Sequence, residues 1–110
     1  MDDELIADIF SGLGPVTTCR MFSGKGIYHD GLIVAIVLRG ELMLKADAIS
    51  APEFAEAGAR QFTYPHRRSG KTVEMPYWTV PESALDDSDE LARWTRKAYE
   101  AALRSAGQSA

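Results

Sequence analysis

The sequence predicts an α+β domain of two layers, in which helices pack on an antiparallel sheet of about five strands. Its clearest signal is a run of seven apolar residues over 32–38, four of them β-branched, with turn residues on both sides. Such a run is typical of a buried strand. Apolar residues at helical spacing near both ends of the chain complete the order helix, strand, three-stranded meander, short helix, hairpin and long helix.

The chain begins with a predicted helix that Asp2 or Asp3 can cap. Its apolar stripe consists of Leu5, Ile6, Ile9, Phe10 and Leu13. Two glycines and a proline over 12–15 end the helix, and the β-branched residues that follow predict a strand over 16–22. Residues 23–26 then break that strand as a bulge or a wider loop.

The predicted meander joins strands over 27–29, 32–38 and 41–45. Asp30-Gly31 is a strong hairpin signal, because both central residues of a type I′ turn have positive φ, which aspartate tolerates and glycine adopts freely. Arg39-Gly40 forms the second turn. The middle strand has no polar residue on either face, so each alternate set of its side chains requires cover.

A short helix over 50–57 and a hairpin of strands over 61–64 and 72–80 follow the meander. Because proline donates no hydrogen bond to a ladder, Pro76 predicts that the second of these strands lies at a sheet edge or is bent.

The last predicted helix runs from Asp87 to about Ser105, and Asp87 with Glu90 has the spacing of a capping box. Large aromatic side chains are usually buried, so Trp78 and Trp94 are assigned to the core, together with Tyr77.

The composition indicates one domain over 1–106, followed by a disordered tail over 107–110. The formal charge is −4, which argues against a broad basic surface for nucleic acid. A single cysteine allows no disulfide within the chain, the first residues are acidic, and no apolar run approaches the roughly 20 residues of a membrane span. We therefore expect a cytoplasmic protein that does not bind membranes.

Gly24-Lys25-Gly26 could surround a phosphate with backbone N–H groups. A Walker loop, however, has lysine and then serine or threonine directly after its second glycine, at the start of a helix, whereas Gly26 leads into a predicted strand. We therefore expect a turn or bulge here.

Four other residues could form a nucleophilic or metal site: Cys19, His29, Asp30 and His66. Their spacing matches no ligand pattern, and a cysteine in a strand is expected to be a buried, inert thiol. The basic hairpin tip at 66–71 could contact phosphates, but a solvated loop is the simpler explanation. The sequence thus assigns no catalytic residue, cofactor or metal.

Five segments occur in a characteristic order: MFSGKGIY at 21–28, DG at 30–31, LKAD at 44–47, YWTVPE at 77–82, and LDD at 85–87 before the helix that contains Trp94. In this order they resemble the N-terminal domain of the TfoX/Sxy family of competence regulators. Ser23 departs from the glycine that is usual in the family. The full regulators also carry a second, helical domain, and this sequence ends where the first domain ends.

The resemblance implies a fold similar to the secretion-chaperone-like group, no enzymatic activity, and a role in regulating DNA-uptake genes with the cyclic-AMP receptor protein. We therefore expect a non-enzymatic protein-interaction module linked to transcriptional regulation. We expect its partner to be that receptor protein or other transcription machinery. A stand-alone domain is expected to keep protein binding rather than promoter function.

Two alternatives remain open at this point, a direct DNA binder that uses the 66–71 loop and a small-ligand or enzymatic domain that uses the glycine loop. A mobility-shift titration tests the first, and a ligand-dependent melting screen tests the second. The candidate interaction surface consists of Gly24, Lys25, Gly26, Tyr28, Lys45, Arg67, Arg68, Lys71 and Tyr77.

The all-apolar strand over 32–38 also predicts a homodimer. Three helices are too few to cover both faces of the sheet, and monomers rarely expose an apolar patch of that size. A two-fold partner would bury it.

Overall fold

The computed structural model describes residues 1–21 and 23–107, which form one antiparallel sheet of six strands and three α-helices. The strands are β1 (Thr17–Met21), β2 (Gly24–His29), β3 (Leu32–Leu38), β4 (Glu41–Lys45), β5 (Gln61–Pro65) and β6 (Thr72–Thr79). The helices are α1 (Asp3–Ile9), α2 (Ala51–Glu56) and α3 (Ser88–Ser105), with a 3₁₀ turn at Glu82–Ala84. The α+β class and the predicted order of elements are confirmed, with six strands where about five were expected.

The strand order in the sheet is β1-β2-β3-β4-β6-β5, and the helices pack on one face of it. Ile6 and Phe10 from the α1 region are fully buried there, and Phe54 of α2 lies 4.7 Å from Trp94 of α3 between ring centroids. Leu5 does not belong to this stripe, because it is 47% exposed. Leu5 and Ile6 lie about 100° apart around the helix, and of these two residues Ile6 faces the sheet.

Strand β3 contains a change of register that decides which of its side chains face the helices. Its pairing with β2 shifts by one residue at Val34, as in a β-bulge. Val34 and Ala35 are therefore both fully buried against the helices, whereas Ile33 and Ile36 lie on the opposite face. The simple alternation of two sets that we expected over 32–38 is wrong for this reason.

Strand β2 begins at Gly24, so the loop or bulge predicted over 23–26 is wrong. Met21, the last residue of β1, pairs directly with Gly24, the first residue of β2. Gly24 is required because a Cβ at this position would overlap the carbonyl oxygen of Val37. The predicted strand end at Phe22 and residues 108–110 of the tail predicted over 107–110 lie outside the described residues.

Both predicted turns of the meander are confirmed. Asp30 and Gly31 have φ of 51° and 80°, and Arg39 and Gly40 have φ of 52° and 77°. These left-handed pairs are the backbone conformations that a type I′ hairpin needs.

Strand β6 is not an edge strand, because it lies between β4 and β5. Pro76 stands where its partners change: Lys45 opposite Tyr77 is the last pair with β4, and the pairing with β5 shifts between Gln61 and Thr63. The pairing of β6 is therefore irregular around the proline, as expected for a residue that donates no hydrogen bond to a ladder.

The start of α3 is confirmed at its cap, where the Asp87 carboxylate accepts the backbone N–H groups of Asp89 and Glu90. Glu90 does not complete the capping box but accepts from Arg93 and from the Trp94 indole. None of the helices in the described part of the chain has the length and apolar character that a membrane crossing requires.

Candidate interaction groove

The sheet has an open face, on the side away from the helices, with an apolar cluster of its own. Its described members all come from strands: Met21, Ile33, Ile36, Leu38, Met43, Phe62, Met75 and Tyr77. Ile36, Met43 and Tyr77 are only 6%, 4% and 7% exposed. The centre of the open face is therefore largely shielded from water by strand side chains alone.

The sheet achieves this shielding by curling. Met21 of β1 and Phe62 of β5 line the same groove, although four strands separate β1 from β5 in the sheet. The right-handed twist of an open sheet brings its outer strands around in this way. The resulting groove has a volume of about 780 Å³, within the range of ligand pockets.

Methionine side chains give the groove an adaptable lining. Three of the four methionines in the sequence, Met21, Met43 and Met75, line it from three different strands. Because methionine is unbranched and polarisable, it can adjust to apolar surfaces of different shape. Phe62 and Tyr64 form an aromatic pair at the β5 side, with 6.2 Å between ring centroids.

Lys45 and Tyr77 are polar residues that pair across β4 and β6 on the open face. The Lys45 ammonium lies 5.5 Å from the centroid of the Tyr77 ring. Burial lowers the pKa of Lys45, and the Asp47 carboxylate opposes that shift. Burial also raises the pKa of Tyr77, with a further contribution from nearby Tyr28. The cause of both shifts is position, since Lys45 is half-buried and Tyr77 is buried.

A second cavity lies at the same end of the sheet but on its helix side, where Lys25 contacts Asp3 of α1 and Val37 belongs to the core. It has a volume of about 420 Å³, and its lining includes Arg20, Lys25 and Arg39, so we call it the cationic pocket. Ser23 and Arg39 line both the pocket and the groove. The Lys25 ammonium is 3.0 Å from the Asp3 carboxylate. Across residues 1–21 and 23–107, Arg20 and Arg39 have no such ion-pair partner.

The structure brings together only part of the predicted interaction surface. Gly24 and Lys25 line the cationic pocket. Gly26 and Tyr28 belong to the open face, because a Cβ at Gly26 would touch the Tyr28 ring at 3.1 Å, and Lys45 and Tyr77 also lie there. The remaining three residues, Arg67, Arg68 and Lys71, are exposed at the hairpin tip.

The glycine loop does not have the conformation of a phosphate-binding loop. Residues 24–26 pair with β1 on one side and with β3 on the other. In an antiparallel sheet, a strand with two neighbours uses its backbone N–H groups in the two ladders. They therefore do not converge on a common point where a phosphate could bind.

The residues considered for catalysis or metal binding are also dispersed. Cys19 is exposed on the outer strand β1, so the prediction of a buried thiol is wrong. An outer strand of a curled sheet has less cover than a central one, and sequence alone did not place this strand. Within the described residues, no three His, Cys, Asp or Glu side chains are grouped so as to hold a metal ion.

His29 has structural contacts with the residues around it. Its Nδ1 lies 2.7 Å from the Pro15 carbonyl oxygen, and its ring meets Tyr99 edge-on at 4.7 Å. The Tyr99 hydroxyl donates to the Asp30 carboxylate at 3.1 Å, which raises the pKa of Tyr99. These contacts join α3 to the turn between β2 and β3.

Sequence reasoning missed most of the groove. The apolar run of β3 did indicate a second apolar face, but Arg39, Met43, Phe62 and Met75 gave no signal of their own. They come together only because the sheet curls, and the curl depends on the twist of all six strands.

Residues 8–102 match the family model described as the TfoX N-terminal domain. The matched region includes all six strands and the whole groove. The search of curated proteins returned no match to this sequence.

Proposed function

The chain belongs to the TfoX N-terminal domain family, and we propose that it is a non-enzymatic protein-interaction module linked to transcriptional regulation. The observation that supports this proposal is the groove on the open face. It is concave, its walls are apolar, and it lies on the side of the sheet away from the helices. Concave apolar surfaces of this kind are common binding sites.

The composition of the groove favours a protein partner. Aromatic residues, methionine and arginine are enriched in protein–protein interfaces relative to the rest of a protein surface. The groove contains all three types, including Phe62, Tyr77, Arg39 and three methionines. Half-buried side chains such as Leu38 and Phe62 would lose their remaining water contact when a partner binds.

The proposed partner is the cyclic-AMP receptor protein or another component of the transcription machinery, acting on DNA-uptake genes. The support for this choice is the resemblance to the competence regulators. The partner, in this proposal, binds the open face rather than the exposed hairpin tip at 66–71.

Affinity capture from the native host tests the proposed function. The tagged protein is compared with a groove variant, Phe62→Asp, and with a surface control, Arg67→Asp, after thermal melting shows that both variants fold. We expect the wild type and the control to recover the same transcription-associated protein and the groove variant to lose it. Equal recovery by all three proteins would contradict a role for the open face, and recovery of nothing beyond an untagged control would contradict the proposed function itself.

Purified components give the direct measurement. Fluorescence anisotropy of the labelled chain, titrated with cyclic-AMP receptor protein, should rise in the presence of cyclic AMP. It should stay flat for Phe62→Asp. A flat titration for the wild type would exclude this receptor and direct attention to the captured protein.

A further inference from the structure

We propose that the cationic pocket binds a small organic phosphate, a phosphate monoester with close to two negative charges at neutral pH. The pocket lies on the helix side of the sheet, so this site is separate from the groove on the open face. The inference therefore goes beyond the proposed function and does not depend on it. It rests on three basic side chains, one unusual turn residue and the size of the cavity.

Arg20 of β1 and Lys25 of β2 are direct neighbours across the sheet. The register places them opposite each other, and both line the pocket. Side chains at such positions have Cβ atoms about 4.5–5.5 Å apart, and like charges there destabilise a sheet. Folding alone gives no reason for this pair, whereas an anion bound between the two side chains would replace their repulsion by attraction.

The pocket holds more positive charge than its surroundings neutralise. Lys25 Nζ lies 3.0 Å from the Asp3 carboxylate and donates to the Met1 carbonyl oxygen at 3.2 Å. Arg20 and Arg39 form no ion pair with any residue that the structure describes. The charge of these two arginines matches that of a phosphate monoester. Guanidinium groups also suit phosphate in shape, because their N–H donors form paired hydrogen bonds to its oxygens.

Arg39 occupies a turn position that arginine does not favour. Its φ is 52° and that of Gly40 is 77°, a type I′ pair in which asparagine, aspartate or glycine is the usual first residue. The turn between β2 and β3 has Asp30 at the matching position. Arginine is therefore less favourable than aspartate for the turn itself, while its side chain lines the pocket. A ligand, rather than the fold, explains this residue.

The size of the cavity indicates a small molecule rather than a bare ion. Its volume of about 420 Å³ lies within the roughly 300–1,000 Å³ of small-molecule sites. The apolar side chains of Met1 and Val37 also line it and would contact the organic part of a monoester. A nucleic-acid strand fits less well, because α1 begins beside the pocket with three acidic residues over 2–4. Their carboxylates would repel phosphates that extend beyond the cavity.

Side chains, not backbone N–H groups, would hold the phosphate. The N–H groups of residues 24–26 belong to the ladders with β1 and β3, so the site differs from a phosphate-binding glycine loop. Ser23 adds a hydroxyl to the lining, and a hydroxyl can donate to a phosphate oxygen.

Calorimetric titration of the purified chain with phenyl phosphate tests the site. Phenyl sulfate is the matched control, because it has a similar shape but a single negative charge. We expect phenyl phosphate to bind about tenfold more tightly than phenyl sulfate, and more tightly than inorganic phosphate. Its affinity should rise as the pH increases through about 6, where a monoester loses its second proton.

Two variants remove one guanidinium each and preserve the backbone. Arg39→Asn places asparagine before glycine, which a type I′ turn favours, and Arg20→Gln keeps a long side chain on β1. Each should weaken phenyl phosphate binding about tenfold, whereas Arg67→Gln, at the exposed hairpin tip, should not change it. Because Arg20→Gln removes a like-charge pair, its melting temperature without ligand should equal or exceed that of the wild type.

Asp3→Asn provides a test that damage to the fold cannot imitate. Loss of this carboxylate leaves Lys25 uncompensated, so the affinity for phenyl phosphate should increase about threefold. Asp8→Asn makes the same charge change at an exposed position of α1 outside the pocket lining, and should change the affinity much less.

Several outcomes would overturn the proposal. They are equal binding of phenyl phosphate and phenyl sulfate, absence of binding at millimolar concentration, and affinity that neither arginine variant changes. Tighter binding of inorganic phosphate would assign the pocket to the free ion, and tighter binding of duplex DNA that Arg20→Gln abolishes would assign it to nucleic acid. Loss of partner capture at the groove would leave these titrations unchanged, so the two proposals fail separately.

Discussion

Asp47 connects three parts of the structure through one carboxylate. Its Oδ1 accepts the backbone N–H groups of Ile49 and Ser50, at 3.1 and 3.0 Å, at the entrance to α2. Its Oδ2 accepts from Arg104 Nε in the last turn of α3 at 2.6 Å. The Arg104 guanidinium, together with the bonds from Ser50, lowers the pKa of Asp47 from 3.8 to about 2. An ion pair of this geometry fixes the end of α3 against the loop that follows β4.

Asp47→Asn should destabilise the protein by about 1–2 kcal/mol at neutral pH. The amide oxygen can still accept from Ile49 and Ser50, so this change removes the ion pair rather than the cap. We place the loss below the full value of the pKa shift because the Asp47 and Arg104 side chains are 26% and 31% exposed. Chemical denaturation of both proteins measures the difference.

The ion pair between Asp47 and Arg104 predicts that the stability of the protein falls as the solution becomes acidic. Because folding lowers the pKa of Asp47, its stabilising effect is complete above about pH 4 and disappears as the pH falls through about 2. The stability difference between the wild type and Asp47→Asn should therefore shrink across that window. A difference that stays constant down to pH 2 would show that the ion pair contributes nothing.

The two tryptophans should differ in their contribution to stability, although the sequence assigned both to the core. Trp94 is 3% exposed, whereas Trp78 is only partly buried at the margin of the same cluster. Trp94→Ala should cost about 3–5 kcal/mol and Trp78→Ala about 1–3 kcal/mol. Thermal melting of the two variants decides this, and equal losses would mean that Trp78 is as well packed as Trp94.

At the scale of elements, the sequence predicted the turns and helix caps that depend only on neighbouring residues. Positive φ at Asp30-Gly31 and Arg39-Gly40, and the cap at Asp87, involve only neighbouring residues, and all three are as predicted. The start of β2 was misplaced because glycines usually indicate loops, whereas Gly24 is required by the close approach of Val37 from the next strand. The central position of β6 was likewise undetermined, since strand order depends on contacts between distant residues.

The hairpin tip between β5 and β6 should tolerate neutralisation. Arg67, Arg68 and Lys71 are exposed, so replacing all three with alanine should change stability by less than about 0.5 kcal/mol. The variant also tests the DNA-binding alternative, because these residues are the basic group that would contact phosphates. Micromolar binding of duplex DNA by the wild type at physiological salt, lost in the triple variant, would contradict a protein partner at the open face.

At the scale of the whole molecule, the sequence did not predict the curl of the sheet. The apolar run of β3 correctly indicated an open face with apolar character, and from it we expected a face that only a second chain could cover. The curl instead brings β1 and β5 toward each other, and Ile36, Met43 and Tyr77 are nearly excluded from water within one chain. The groove follows from that curvature rather than from any motif.

Because the sheet curls, less apolar surface is left for a second chain to cover than the sequence predicted. We propose that the isolated protein is a weak homodimer that pairs through the open face. Half-buried Met21, Leu38 and Phe62, with Tyr64 at 42% exposure, still form an apolar rim of the kind that monomers seldom leave in water. Because concave faces pack poorly against each other, the pairing should be reversible, and a partner segment should displace the second copy. Sedimentation should show a mass that rises from 12.1 kDa toward twice that value through the micromolar range. Phe62→Asp should remain monomeric and Phe62→Leu should still pair, whereas a wild-type mass of 12.1 kDa at every concentration would rule out the dimer.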